Sequence, residues 1–371
     1  MNGMAEFTRT PDASSEKYPL AVRTALLCAA IGDALGYPLE LLSAKEIAAR
    51  STLTGENELI FSDDTQLSCY TLDALTEVLE WNNQGTPADE LACLWLAYLR
   101  WYRGMGFTPA AHAPFSLDRE IDTSAPLTAR EGPGQATLRA LESGEMQTVA
   151  QNINPDALGT GALVRSCAFG FLPVAPERTV VLLAARAAAL THGHPEALAS
   201  AAAYALLTRD VLAGACGSEQ GKKNSIADSV RRVIDWCGSI PAEEAFPADA
   251  ALTREALVKA LALQDTEPTP EAVAEHFGTD WLCYTVLGIA VWNTLYCSAR
   301  ISAPGEGLQA GLMRAVSADS DSDSIGAITG ALLGAHVGTL GDTQPLLETL
   351  RGAADVRAVA DRYIAQLGQT P

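Results

Sequence analysis

The sequence has few positive charges and few aromatic side chains. It contains 25 Lys and Arg against 45 Asp and Glu in 371 residues, which gives a net charge of −20. We do not expect so negative a chain to bind nucleic acid or an anionic membrane surface, because both repel it. Aromatic residues make up only 6% of the chain, and its long Ala- and Leu-rich runs favour packed helices over sheets. The composition predicts a mainly α-helical protein whose partner is a small ligand, a metal ion or another protein.

The sequence also lacks paired cysteines and a secretion signal. Its eight cysteines are scattered, with no CxxC pair, so we expect reduced thiols in the core of a cytoplasmic protein. Residues 1–18 are polar, without the basic start and apolar segment of a signal peptide, and we interpret them as a loosely ordered extension. Residues 19–371 contain no convincing linker and no internal repeat, which predicts a single all-α domain.

Two uncharged runs, residues 281–299 and 324–341, reach the length needed to cross a bilayer. Thr and Asn residues interrupt the first run, which has no basic flank to set a topology. His336 and five glycines interrupt the second. We interpret both runs as helices inside a large helical core and expect no membrane contact.

Apolar spacing predicts helices along most of the chain. The first covers about residues 20–36, and the second begins after Ser62, a suitable N-cap. Residues 104–134 are rich in Gly, Pro and Ser, which predicts a long surface or active-site loop. The other predicted helices cover about residues 87–103, 135–141, 160–170, 177–190, 194–213, 225–237, 252–263, 270–276, 281–298, 306–315, 324–338 and 343–367.

Acidic residues gather directly before two of the predicted helices. The stretch SADSDSDSIGAITGALLGA carries Asp319, Asp321 and Asp323 ahead of an uncharged helix, and FSDDTQ places Asp63 and Asp64 at another helix start. Either cluster alone is compatible with helix capping. Two clusters of the same kind, held near the interior, favour a cation that neutralises them. Oxygen ligands without His or Cys suit Mg²⁺, Mn²⁺ or Ca²⁺ rather than Zn²⁺.

The stretch after the second acidic cluster is not an EF-hand loop. Ser324 and Gly330 stand where that loop requires Gly and Glu. Instead, a glycine recurs every fourth residue, which on a helix forms a stripe without side chains and allows another helix to approach closely. The stripe consists of Gly326, Gly330, Gly334 and Gly338.

Four ordered motifs resemble those of the ADP-ribosylglycohydrolase family, which includes the glycohydrolase that reactivates ADP-ribosylated dinitrogenase reductase. The motifs are GDALGYPLE at 32–40, SDDTQ at 62–66, THGHPEA at 191–197 and DSDSIGAITGALLGA at 321–335. One such motif would be weak evidence, whereas four in the right order are specific. The resemblance implies an all-α, orthogonal multi-helix bundle that holds two divalent cations, Mg²⁺ or alternatively Mn²⁺, in a cleft for ADP-ribose.

The resemblance also implies roles for individual residues. Glu40 would lie beside the metals as an acid/base group, with Asp33 supporting it, and Asp64 would belong to both the catalytic and the metal-binding sets. His192 would face the diphosphate or the distal ribose, whereas His194 is interpreted as the start of a helix. The implied metal ligands are Ser62, Asp63, Asp64, Asp321, Asp323 and Ser324.

Two glycine-containing segments are further candidates for substrate binding. In REGPGQATLRAL, backbone N–H groups precede a helix, which fits a diphosphate cradle or an ordinary loop-to-helix turn. In GTGALVRS, Thr160 and Val164 stand where the family commonly has Asn and Met, while Arg165 matches the family pattern. The candidate binding residues in these segments are Gly132, Gly134, Gln135 and Gly161.

Together these features predict a binuclear-metal-dependent hydrolase that removes ADP-ribose from a modified protein side chain. The bond would be an N- or O-glycosidic bond at the anomeric carbon of the ribose. An ADP-ribosylated protein would be the substrate and ADP-ribose the product. Two alternatives stay open: a catalytically silent module that binds ADP-ribose or blocks a partner protein, and a binuclear metal phosphohydrolase.

Overall fold

Helices and connecting loops build the part of the chain that the structure describes. The computed structural model describes residues 10–49, 58–173, 175–217, 225–240, 250–302 and 305–368. Within these ranges no β-strand is present, and extended pairing is restricted to isolated bridges. The all-α prediction is therefore confirmed.

The helices agree closely with the predicted segments. Short 3-10 helices cover Tyr37–Leu39, Glu120–Thr123, Pro126–Thr128 and Gly341–Thr343. The α-helices are α1 Lys17–Gly36, α2 Ala44–Ala49, α3 Asp63–Asn83, α4 Glu90–Gly104, α5 Gln135–Glu142, α6 Gly161–Val164, α7 Cys167–Gly170, α8 Glu177–Ala188, α9 Pro195–Cys216, α10 Ile226–Cys237, α11 Ala251–Ala262, α12 Pro270–His276, α13 Cys283–Ser298, α14 Leu308–Ala315, α15 Ser322–Val337, α16 Gln344–Thr349 and α17 Ala353–Leu367.

Helices α1 and α15 pack with their backbones in direct contact. A Cβ atom built on Gly330 would lie 2.1 Å from the carbonyl oxygen of Cys28, and one on Gly326 would lie 2.2 Å from that of Gly32. A Cβ atom on Gly334 would also be too close to α1, at 2.6 Å from the carbonyl oxygen of Thr24. The predicted glycine stripe is therefore the contact surface, apart from Gly338, which ends α15 with a φ of 70°. This contact fixes the N-terminal end of α15 beside the C-terminal end of α1.

Two predicted helices are interrupted in the structure. The segment 160–170 forms α6 and α7, because the N–H of Ser166 bonds to the carbonyl of Leu163, three residues away, and the α-helical pattern breaks there. The segment 343–367 forms α16 and α17. Between them the chain is extended and hydrogen-bonds to both sides of Leu59, after which Gly352, with a φ of 85°, starts α17.

The N-cap predicted at Ser62 is confirmed, and the helix start predicted at His194 is confirmed with His194 as its cap. The Ser62 hydroxyl accepts a hydrogen bond from the N–H of Asp64 (3.2 Å), and His194 Nδ1 accepts one from the N–H of Glu196 (3.1 Å). Each cap satisfies an N–H group that has no partner within its own helix.

The eight cysteines are unpaired and buried, as predicted. The two uncharged runs form the buried helices α13 and α15. Among the described residues one helical segment, Lys17–Leu39, is long and apolar enough to cross a membrane, and 83% of its apolar 18-residue stretch is buried inside the protein.

Of the predicted N-terminal extension, residues 1–9 lie outside the described residues, and Lys17 and Tyr18 form the start of α1.

Candidate active site

The two acidic patches meet where the N-terminal ends of α3 and α15 lie side by side. The Ser324 hydroxyl donates a hydrogen bond to Oδ2 of Asp64 (2.7 Å), although the two residues are 260 positions apart in the chain. Asp63 and Asp64 are in the first turn of α3, and Asp323 is in the first turn of α15. Both helices therefore direct their positive dipole ends toward the same carboxylates.

Glu40 completes the cluster from the end of the 3-10 helix that follows α1. Carboxylate oxygens of Glu40, Asp321 and Asp323 all lie within 4.8 Å of one another. Asp321 and Asp323 are buried, whereas Glu40 is half-buried. Three carboxylates at this separation have the spacing and the hard oxygen donors of a divalent-cation site.

Asp33 holds the N-terminal end of α3 in place from a buried position outside the cavity. Its Oδ1 accepts the N–H of Ser62 (2.9 Å), and its Oδ2 accepts both the N–H (3.0 Å) and the hydroxyl (2.5 Å) of Thr65. Asp33 thus connects α1 to the N-terminal end of α3 and is fully buried. Because its oxygens are engaged there, it positions Asp63 and Asp64 rather than facing the cavity.

Burial and mutual repulsion raise the pKa values of these carboxyl groups. The pKa of Asp33 and that of Glu40 each rise to about 7, first because both groups are desolvated and then because the charge of Asp323 lies nearby. Burial also raises the pKa values of Asp63, Asp64 and Asp321 well above the usual range. A bound cation would offset this penalty.

A cavity of about 330 Å³ opens onto the carboxylates. Asp33 and Ser62 are not among the residues that line it, and none of its described lining residues is Lys or Arg. The lining consists of Glu40, Asp63, Asp64, Gly132, Gly134, Gln135, Ala136, Thr137, Gly159, Thr160, Gly161, His192, Trp281, Asp321, Asp323 and Ser324.

The end of the long loop and the start of α5 form one wall of this cavity. The N–H of Gly134 donates to Oδ2 of Asp63 (3.2 Å), so this predicted cradle group is bound to the acidic cluster. Thr137, in the first turn of α5, is 1% exposed, and its hydroxyl has no hydrogen-bond partner among the described residues. Residue pattern alone had not indicated Thr137. A buried hydroxyl without a partner beside a cavity suits a ligand oxygen.

The segment before α6 and His192 continue this wall. The Thr160 hydroxyl donates to Oδ2 of Asp321 (2.6 Å), so the position where the family commonly has Asn still contacts the acidic cluster. A Cβ atom on Gly161 would lie 3.5 Å from Oγ1 of Thr137 and 3.8 Å from Cε1 of His192. The missing side chain of Gly161 leaves the space between these two polar groups open. Trp281, 39% exposed, also lines the cavity, and the sequence had not indicated it.

Comparison with known proteins decides the family. The sequence profile of the ADP-ribosylglycohydrolase family matches residues 15–371. The chain belongs to the ADP-ribosylglycohydrolase family. A solved structure of an ADP-ribosylglycohydrolase-related protein complex is similar to this ADP-ribosylglycohydrolase, with 21% identity and a TM-score of 0.58, over 95% of this chain and 99% of that one. At this identity the likeness shows the fold. No curated protein matches the chain.

Membership supports a glycohydrolase that acts on ADP-ribose linkages. The family is typically metal-dependent, and this ADP-ribosylglycohydrolase places a group of carboxylates where a cation would bind. Its orthogonal helical bundle is the one expected from the resemblance.

Magnesium is expected to stabilise this ADP-ribosylglycohydrolase more at pH 8 than at pH 5. In the metal-free protein the raised pKa values of Asp33 and Glu40, about 7, let the folded state keep protons that the unfolded chain has lost above about pH 4.5. Their contribution to stability is complete below that pH and is lost as the pH rises through 7. A cation takes the place of these protons, so the stabilisation that the cation provides grows as the pH rises from 4.5 through 7. It reaches about 2.7 kcal/mol when the free cation concentration is a hundred times its Kd.

Thermal unfolding with and without Mg²⁺ between pH 5 and 8 measures this effect. A melting-temperature increment that is independent of pH, or largest at pH 5, would contradict the assignment of the cation to these carboxylates.

Proposed function

We propose that this glycohydrolase uses two divalent cations, Mg²⁺ or alternatively Mn²⁺, to remove ADP-ribose from a modified protein side chain. The observation that carries the proposal is the convergence of five carboxylates at the cavity, with no cationic side chain in its described lining. When ionised, the five carboxylates carry five negative charges. One divalent cation would leave three of these charges uncompensated, whereas two cations would leave only one. The residues that would hold them are Ser62, Asp63, Asp64, Asp321, Asp323 and Ser324.

The donor set suits these ions. It consists of carboxylate and hydroxyl oxygens, which bind Mg²⁺ and Mn²⁺ in preference to softer metals. Ser62 enters the set from the N-cap of α3, where its hydroxyl already accepts the N–H of Asp64. When bound, the cations would orient ribose hydroxyls and a water molecule and stabilise negative charge on them.

The protein groups would supply proton transfer and charge stabilisation. The bond between the anomeric carbon and the side-chain atom breaks through an oxocarbenium-like state, in which positive charge develops on the ribose. Glu40 is half-buried at the cavity and would accept the proton of the attacking water and transfer it to the departing side-chain atom, which leaves neutral. Asp64 would stabilise the positive charge, while Asp33 acts as a positioning residue through Ser62 and Thr65.

The rest of the ligand would occupy the wall formed by α5 and His192. The hydroxyl of Thr137, which has no partner in the described part of the chain, and the ring of His192 flank the space above Gly161. The first turn of α5 also lines the cavity, and the N-terminal end of a helix favours an anion. We therefore place the diphosphate there, with Gly132, Gly134 and Gln135 at its edge.

Family membership and composition support two further parts of the proposal. The family match over residues 15–371 supports one domain over residues 19–371. Eight buried, unpaired cysteines support a cytoplasmic protein.

An assay with an ADP-ribosylated peptide tests the function. With Mg²⁺ we expect release of intact ADP-ribose and an unmodified peptide, both identified by mass spectrometry, and loss of release when a chelator removes the metal. Tight binding of ADP-ribose without turnover would favour the silent module. Cleavage of the diphosphate of ADP-ribose would favour the phosphohydrolase.

Replacing Glu40 by glutamine is expected to lower kcat by about 10²- to 10⁴-fold, because the proton acceptor is removed. Binding of ADP-ribose should change little, since the wall formed by α5 and His192 is intact. Isothermal titration and initial rates on the same preparation separate the two effects. Glu46→Gln is the matched control, because Glu46 is exposed and hydrogen-bonds to Ser43 at the start of α2. A Glu40→Gln enzyme with the wild-type kcat would contradict the role of Glu40 as the proton acceptor.

A further inference from the structure

We propose that Arg165 and Thr191 are positioning residues that hold His192 in one neutral tautomer, with its Nε2–H group directed into the cavity. Neither residue lines the cavity; both would act on the ligand through His192. The inference rests on the proposed function only for the identity of the ligand, ADP-ribose.

A chain of short hydrogen bonds connects the three residues. Nη2 of Arg165 donates to Oγ1 of Thr191 (2.7 Å), and the same oxygen lies 2.8 Å from Nδ1 of His192. The residues are 1%, 0% and 3% exposed, respectively, so water does not compete for these contacts.

The chemistry of the hydroxyl sets the direction of the second bond. A guanidinium only donates, so Oγ1 of Thr191 is an acceptor toward Arg165. Its own hydrogen then needs an acceptor, and Nδ1 of His192 is the other described partner of this hydroxyl. If Nδ1 carried the hydrogen instead, the buried hydroxyl hydrogen would have no partner, at a considerable cost. Nδ1 is therefore the acceptor, and the ring hydrogen is on Nε2.

The guanidinium of Arg165 is itself held in place. It donates to the carbonyl oxygens of Gly161 and Ala187, both at 3.2 Å, and stacks over the ring of Tyr98 at 4.7 Å. None of its contacts among the described residues is with a carboxylate, so no negative side chain there neutralises its charge beside His192. Burial, and then the charge of Arg165, lower the pKa of His192 to about 3. The ring is consequently neutral at physiological pH.

The Nε2 edge of the ring is the edge that faces the cavity. A Cβ atom on Gly159 would lie 3.7 Å from Nε2, and one on Gly161 would lie 3.8 Å from Cε1. Two glycines thus leave this edge uncovered. The fixed tautomer presents an N–H donor, which suits an ionised phosphate oxygen, whereas the opposite tautomer would present a lone pair that repels such an oxygen.

Nitrogen-15 NMR of the protein labelled at the histidine rings tests the tautomer directly. His192, assigned by loss of its signal in His192→Asn, is expected to show an unprotonated Nδ1 and a protonated Nε2 at pH 7. Thr191→Val should mix the two tautomers and weaken ADP-ribose binding about tenfold, as for the loss of one hydrogen bond. Thr191→Ser retains the hydroxyl and should keep the wild-type tautomer and binding within about threefold.

The outcomes separate this inference from the proposed function. A hydrogen on Nδ1 in the wild type, or an unchanged His192 spectrum in folded Thr191→Val, would overturn the positioning role whether or not the protein cleaves anything. Absence of ADP-ribose binding by the wild type would contradict the proposed function instead. The spectrum of the wild type decides the tautomer even if Thr191→Val does not fold.

Discussion

Replacing Asp323 by asparagine is expected to abolish ADP-ribose release and at the same time to raise the melting temperature of the metal-free protein at pH 8. Asp323 is the common electrostatic neighbour of the other acids in the cluster. Its charge raises the pKa values of Asp33, Glu40, Asp64 and Asp321. Removing that charge relieves repulsion in a buried site, where one unit of pKa corresponds to about 1.4 kcal/mol. It also removes a central cation ligand, so we expect activity to fall by about 10³-fold or more.

Initial rates and metal-free thermal unfolding of the same variant measure the two effects. Asp319→Asn is the matched control: it removes one negative charge four positions earlier, at a residue that does not line the cavity. The control should retain activity. An Asp323→Asn enzyme with normal turnover, or one that is less stable without metal, would contradict the proposed centre.

Replacing Gly330 by alanine is expected to destabilise the protein by about 3 kcal/mol or more, because the new methyl group would lie 2.1 Å from the Cys28 carbonyl oxygen. Backbone atoms of a buried helix cannot move away as a flexible side chain can. The only relief is separation of α1 from α15, which carry Asp33 and Asp323 respectively. Magnesium affinity should therefore fall together with stability.

Denaturant unfolding and magnesium titration of Gly330→Ala measure both losses. Gly368→Ala is the control, since a Cβ atom there meets no described atom within 4 Å and its φ is −84°. That variant should unfold close to the wild type. If Gly330→Ala also unfolds like the wild type, the close contact of α1 and α15 does not exist as described.

Most helices could be predicted because their signals are local. Apolar spacing, the N-cap Ser62 and the start of α9 at His194 depend on residues a few positions apart. The interruption between α16 and α17 could not be predicted, because the chain there hydrogen-bonds to Leu59, almost 300 residues earlier. The division of residues 160–170 into α6 and α7 was missed for a related reason. Arg165 lies at that break, and its side chain bonds to Ala187 and Thr191.

By itself the sequence determined that this is a helical protein with a large excess of acids, and that these acids stand at helix starts within motifs of one enzyme family. These properties follow from composition and from short spacings, which a chain carries before it folds. Only the tertiary structure decided that Ser324 meets Asp64, that the Thr137 hydroxyl lies beside the cavity with no hydrogen-bond partner among the described residues, and that Arg165 and Thr191 bond to each other next to His192. Those contacts join residues far apart in sequence, and they exist because glycines let α1 and α15 touch and because the other helices pack around that pair.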